Sequence, residues 1–156
     1  MALILMRFQS FSLPLQEINQ FTVMQTSDSI VIIPTYNEKE NIEKIIRAVF
    51  GLDKCFHILI IDDGSPDGTA AIVKGLISNE FSDRLFILER QGKLGLGTAY
   101  IMGFKWALEH QYDYIFEMDA DFSHDPNDLP RLYAACHDEG YDVAIEIGRA
   151  SCRERV

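Results

Sequence analysis

From Ser29 onward the chain alternates short β-branched apolar runs with amphipathic stretches of helical period. That alternation predicts strand, helix, strand, helix and a mainly parallel sheet with helices packed against it, an α/β fold. Ile30–Ile33 reads as a buried first strand stopped by Pro34. Glu38–Phe50 follows as a helix, with Ile42, Ile45, Ile46 and Val49 at helical spacing and Gly51 closing it. His57–Ile61 is the second strand, after which Asp67 or Thr69 caps a helix to about Ser78. Leu85–Leu88 is the third strand, and Thr98–Glu109 is helical, with Ile101, Phe104, Lys105 and Leu108 on related faces. Tyr114–Met118 is the fourth strand. Pro126 opens a last helix to about His137, and Val143 starts a fifth strand that is cut short. Parallel neighbours of this kind are joined by right-handed crossovers.

The two ends do not share the pattern. Met1–Leu15 is moderately apolar, but Arg7 interrupts it and no basic segment precedes it. It is a poor signal peptide and too short to span a bilayer. Met24 stands just before the first clear strand, so residues 1–28 are expected to be an extension, either disordered or the product of a mis-assigned start. From Glu146 the chain turns into an arginine-rich polar stub that resembles a translated sequencing adapter. Residues 146–156 are therefore expected to be a non-native tail, and residues 29–145 an incomplete domain.

Composition narrows the function. The 156 residues allow one domain with a real core. A net charge of -10, from 24 acidic against 14 basic residues, argues against a nucleic-acid partner, because phosphate backbones are bound by basic faces. Cys55, Cys136 and Cys152 are an odd set without Cys-x-x-Cys spacing, so neither a disulfide framework nor a zinc site is indicated and a reducing cytosol fits.

Two acidic clusters each follow an apolar strand, where the carboxyl ends of parallel strands bind ligands in open α/β sheets. In the first, Asp62-Asp63-Gly64-Ser65-Pro66-Asp67-Gly68-Thr69, crowded like charges ask for a cation or for ligand donors. Its carboxylate spacing does not fit an EF-hand. In the second, Glu117-Met118-Asp119-Ala120-Asp121-Phe122-Ser123-His124, Asp119 and Asp121 flank one small residue. On an extended strand end both point the same way, which suits a hard divalent cation shared with phosphate oxygens. Pro34-Thr35-Tyr36-Asn37-Glu38 sits in the loop after the first strand, where Tyr36 can stack on a base and Glu38 can accept from a ribose or base. Arg90-Gln91-Gly92-Lys93-Leu94-Gly95-Leu96-Gly97-Thr98 joins a strand to a helix and can bring amides, a helix N-terminus and cations to a phosphate, although it lacks the full dinucleotide fingerprint. His124 reads more simply as a surface or capping residue than as a ligand, and Trp106 as core.

Taken together, these four motifs resemble those of the family 2 glycosyltransferases of GT-A fold, with the greatest likeness to polyprenol-phosphate (dolichyl-phosphate) mannosyltransferases. The resemblance covers about Ser29 to Ile145, the N-terminal part of such an enzyme. It implies a Rossmann-like GT-A sheet, truncated at its C-terminal side. It implies that Pro34, Tyr36, Glu38 and Asp63 contact the guanosine of GDP-mannose, with Asp62 supporting them, Lys93 near the donor and Ala120 within the donor site. Asp119 and Asp121 would hold Mg2+ or Mn2+ against the diphosphate, with Ser123 standing where some relatives carry a glutamine ligand. The implied reaction is a single displacement with inversion by a polyprenyl phosphate acceptor. No general base is needed, because a phosphate monoester, with a second pKa of about 6, is already anionic near neutrality. Acceptor recognition and contact with the cytoplasmic membrane face would belong to the missing half. The alternatives are a UDP-sugar transferase acting on a lipid or glycan, a phosphohydrolase of haloacid dehalogenase type using Asp119 as nucleophile, and a noncatalytic nucleotide-binding module.

Overall fold

A computed structural model of the chain describes residues 3–8 and 27–146. Six strands form one sheet in the order β4-β3-β2-β5-β1-β6. They are β1 (Leu3–Arg7), β2 (Ser29–Thr35), β3 (His57–Asp62), β4 (Leu85–Glu89), β5 (Tyr114–Glu117) and β6 (Val143–Glu146). β2 pairs in parallel with both β3 and β5, and β3 with β4. The helices are α1 (Ile42–Phe50), α2 (Thr69–Asn79), α3 (Leu96–Glu109) and α4 (Leu129–His137), the last preceded by a 3-10 turn at Pro126–Asp128.

Strand alternation sends side chains to both faces of the sheet, and each face has its own core. On one, Val31, Ile33, Ile58, Ile60 and Phe116 pack against Ile42, Ile45, Ile46 and Val49 of α1, Val73 and Leu76 of α2, and Leu129 and Leu132 of α4. On the other, Ile30, Ile32, Leu59, Ile61 and Ile115 pack against Ala99, Tyr100 and Ala107 of α3. Helices on both faces are what an all-apolar parallel core requires.

Several details depart from the sequence expectations. Leu3–Arg7, expected to lie in an extension, is a strand inserted antiparallel between β5 and β6, with Leu3 and Leu5 fully buried. The apolar alternation of Leu3 and Leu5 is enough to fill that slot, while Arg7 falls at the strand's last position. Met24, with the other extension residues 1–2 and 9–26 and residues 147–156 of the expected tail, lies outside the described residues. Pro34 does not stop β2: Pro34 and Thr35 continue alongside β3, and the β5 side of the ladder has already ended at Ile32, so Pro34 needs no second partner strand. α1 begins at Ile42, not Glu38, because the Glu38 carbonyl accepts from the amides of Asn41 and Ile42 in a preceding turn. α3 turns inward a face of small residues, Ala99, Gly103 and Ala107 with Tyr100, and leaves Ile101 and Leu108 exposed. The reason is at Gly103, where a Cβ would stand 2.6 Å from Ile32 Cγ2, so only glycine lets α3 lie this close to β2.

Candidate active site

The carboxyl ends of β2, β3 and β5 lie side by side, bringing three of the four sequence motifs to one sheet edge. The fourth, the glycine-rich loop, is drawn in by the turn after β3. Gly64 packs so closely on it that a Cβ would lie 3.1 Å from the Gly92 amide nitrogen.

The first acidic cluster is largely inward-facing. Asp62 is 1 % exposed. Its Oδ1 accepts from Thr35 Oγ1 at 2.9 Å and Ser65 Oγ at 2.6 Å, and its Oδ2 from the Ser65 amide at 2.9 Å. It therefore shapes the turn from beneath. Asp63 is also buried and is paired with Arg90, whose Nε donates to Asp63 Oδ1 at 2.6 Å. The same guanidinium donates to Thr98 Oγ1 at 2.7 Å and to the Gly95 carbonyl at 3.2 Å. Arg90 thus ties the glycine-rich loop and the first turn of α3 to the end of β3. The loop sequence groups Arg90 with Lys93 as cations, whereas the structure separates them: Arg90 follows directly on β4, and its amide donates to the Asp62 carbonyl at 2.8 Å, keeping it beside β3. Asp67 accepts from both the amide and the hydroxyl of Thr69 at the start of α2, and these bonds hold its carboxyl below the usual range.

Tyr36 is 40 % exposed and presents its ring above the sheet edge, with Lys93 Nζ 4.9 Å from the ring centre. Pro34 is half-buried in β2 beneath it. Glu38 is half-buried, accepts from Asn41 Nδ2 at 3.2 Å and is pinned through its amide to Thr69 Oγ1 at 3.0 Å.

The second cluster is more open. β5 ends at Glu117, so Asp119 and Asp121 stand on the turn after the strand and not on the strand itself. The alternation nonetheless persists: Met118 and Ala120 are buried in the core beneath α1 and α4, while Asp119 is half-buried and Asp121 exposed. The Ala120 methyl is thus a core group. The turn is made by Phe122, at φ 59°, and by the Ser123 amide donating to Asp121 Oδ1 at 2.9 Å. The Ser123 bonds hold the Asp121 carboxyl below its ordinary range. Burial, with Asp119 nearby, pushes Glu117 up. Tyr100, 6 % exposed on α3, donates to Asp119 Oδ1 at 3.2 Å, and burial followed by Asp119 and Glu117 raises its hydroxyl far above the ordinary tyrosine range. His124, expected at the surface, is buried, with Nδ1 2.7 Å from Glu146 Oε2. A cleft of about 790 Å³ lined by Phe122, Ser123, His124, Asp128 and Arg131 opens beside the turn.

Among the described residues no three His, Cys, Asp or Glu side chains group to hold a metal on their own. Asp119 and Asp121 are nevertheless a hard oxygen donor pair on an accessible turn. Such a pair fits a cation of the Mg2+ or Mn2+ type that keeps most of its positions for phosphate oxygens and water. No helix among the described residues is long and apolar enough to cross a membrane.

A mainly parallel sheet covered on both faces, with acidic turns gathered at its carboxyl edge, is the GT-A architecture. Residues 30–154 match glycosyl transferase family 2, and the chain belongs to that family. It is 48 % identical over 124 residues to a polyprenol monophosphomannose synthase of Mycolicibacterium smegmatis, covering 80 % of this chain and 46 % of the relative. It is 43 % identical over 106 residues to an undecaprenyl-phosphate mannosyltransferase of Micrococcus luteus, covering 68 % and 43 %. The chain thus spans about half the length of these curated relatives. Among solved structures it is similar to the mannosyltransferase PcManGT from Pyrobaculum calidifontis in complex with GDP-Man and Mn2+, at TM-score 0.50 and 27 % identity, over 60 % of this chain and 27 % of that one. It shares its fold with TarS 1-349 of S. aureus, at TM-score 0.55 and 23 % identity, over 70 % and 32 %. Family membership sets aside the phosphohydrolase alternative.

Proposed function

We propose that this chain is the donor-binding half of a polyprenol-phosphate mannosyltransferase, which transfers mannose from GDP-mannose to a polyprenyl phosphate with inversion. The observation that carries the reading is the presence of two acidic turns at the ends of β3 and β5, the two strands that flank β2, on a chain 48 % identical to a polyprenol monophosphomannose synthase. The GDP-Man and Mn2+ in the PcManGT complex favour the same donor and the same kind of ion.

In this reading Tyr36 offers an exposed ring for the base to stack on, and Glu38 and Asp63 supply carboxylate oxygens for guanine N–H donors. Oδ1 of Asp63 is engaged by Arg90, so Oδ2 is the oxygen that meets the base. Asp62, with both oxygens bonded to Thr35 and Ser65, acts by holding the turn in shape, and Pro34 sets the height of Tyr36 above the sheet. Lys93 lies beside Tyr36, where its charge faces the donor phosphates. Asp119 and Asp121 hold the divalent ion, with Ser123 beside them as a further oxygen, and Ala120 contributes backbone to the donor site while its methyl anchors the turn. A bound Mg2+ or Mn2+ supplies charge neutralisation for the departing diphosphate. No base carboxylate is assigned, since the acceptor phosphate oxygen is its own anionic nucleophile. The acceptor lipid and the cytoplasmic membrane face are met by the remainder of the longer protein.

Calorimetric titration with GDP and UDP in the presence of Mn2+ tests the donor assignment. GDP is expected to bind at least tenfold tighter than UDP, whereas tighter UDP binding would move the chain to a UDP-sugar transferase. Saturable GDP binding without mannose transfer by the protein at its relatives' full length would reduce it to a binding module.

A further inference from the structure

The hydrogen bond from α3 to the second acidic turn is not explained by packing alone. Tyr100 belongs to the core on the α3 face, with Ile30, Ile32 and Ile115, yet its hydroxyl leaves that core to reach Asp119 Oδ1 at 3.2 Å. A tyrosine whose ring is buried among isoleucines gains nothing from its oxygen unless that oxygen finds a partner, and here the partner is a carboxylate of the candidate metal pair. The reach depends on how closely α3 lies on β2. Gly103, three residues on and on the same buried face, is what permits it, since a Cβ there would collide with Ile32.

We propose that Tyr100 is a positioning residue for Asp119, fixing the rotation of its carboxylate so that the divalent cation meets a pre-set oxygen. The inference rests on the reading above that Asp119 and Asp121 hold the ion. Rotation about the terminal torsion of an aspartate is soft and broad, so an Asp on a turn presents no fixed lone pair by itself. One donated hydrogen bond to Oδ1 removes that freedom and still leaves both oxygens able to accept. Partners of this kind, bonded to a ligand and not to the metal, typically alter metal affinity by about 10- to 100-fold. Asp121 gains a corresponding restraint from Ser123, so each carboxylate of the pair is held by a hydrogen-bond donor.

The test is Mn2+ binding by the chain in the presence of GDP, read from the electron paramagnetic resonance signal of free Mn2+. Tyr100→Phe keeps the buried ring and removes only the hydroxyl. It is expected to weaken Mn2+ about tenfold while leaving the melting temperature and GDP affinity in EDTA as in the parent. A merely structural tyrosine would move the melting temperature or the metal-free GDP affinity instead, which would overturn the proposal. So would Mn2+ affinity within twofold of the parent in Tyr100→Phe when Asp119→Ala abolishes binding. If Asp119→Ala and Asp121→Ala both bind Mn2+ normally, the metal assignment itself fails. A measurement on the unsubstituted chain guards against a folding defect: the Tyr100 13Cζ resonance is expected to shift on adding Mg2+ with GDP, and a stationary resonance overturns the proposal.

Discussion

At the end of β3, Asp62 is 1 % exposed and both its oxygens are filled by Thr35 and Ser65. At the end of β5, Asp121 stands in solvent, held by short-range hydrogen bonds of its own turn, chiefly from Ser123. The two runs look alike on paper, an apolar strand closing in two nearby aspartates, but the hydrogen-bond inventories give them different work. The first pair spends its charge inside the protein, on a turn and on the buried Arg90. The second keeps its charge available, and availability is what a cation shared with phosphate oxygens requires.

The difference can be broken first at its most buried point. Arg90→Met strips the partner from Asp63 in a site where the Arg90 side chain is 2 % exposed, and is expected to lower stability in urea unfolding by about 3–5 kcal/mol, the cost of an unpaired buried charge. A loss no larger than an ordinary surface substitution would show that the first cluster is not structural. Asp121→Ala should do the reverse. Stability is expected to fall by only about 1 kcal/mol, the loss of the Ser123 hydrogen bonding on an exposed turn. The enhancement of GDP binding by Mn2+ is expected to vanish, and unchanged Mn2+-dependent binding would remove Asp121 from the site.

A smaller effect lies in the titration of the second cluster. Burial and Asp119 raise the Glu117 carboxyl above its ordinary value. Below the unfolded pKa of about 4.3 the group is protonated in both states. As pH rises past that value the unfolded chain ionises first, so this contribution to stability is lost as pH climbs through the raised folded pKa. Asp119→Asn removes one cause of the shift, and carbon NMR titration is expected to find Glu117 closer to its ordinary value. An unmoved Glu117 would mean that burial alone sets it.

The sheet and its site were legible in the sequence to unequal degrees. β2, β3 and β5 were visible because parallel strands covered on both faces read as unbroken apolar runs, and the aspartates after them fell at the ligand edge. β1 was not, because five residues interrupted near their end by an arginine carry little local signal. The pairing of β1 with β5 and β6 spans more than a hundred residues of chain. The buried face of α3 is not selected by the spacing of its large apolar residues, because the contact is made by Ala99, Gly103 and Ala107, whose advantage is closeness. That Asp62 is satisfied internally depends on a threonine from the next strand and a serine three residues on, and no spacing rule selects between such a partner and a ligand.

The division of labour between the two clusters is tested most directly by the anomalous scattering of manganese in crystals grown with GDP and Mn2+. A single peak within coordination distance of Asp121, with Asp119 alongside and none at Asp62 or Asp63, is the predicted result. A peak against Asp62 or Asp63, or GDP bound in the site with no manganese near Asp121, would contradict the account.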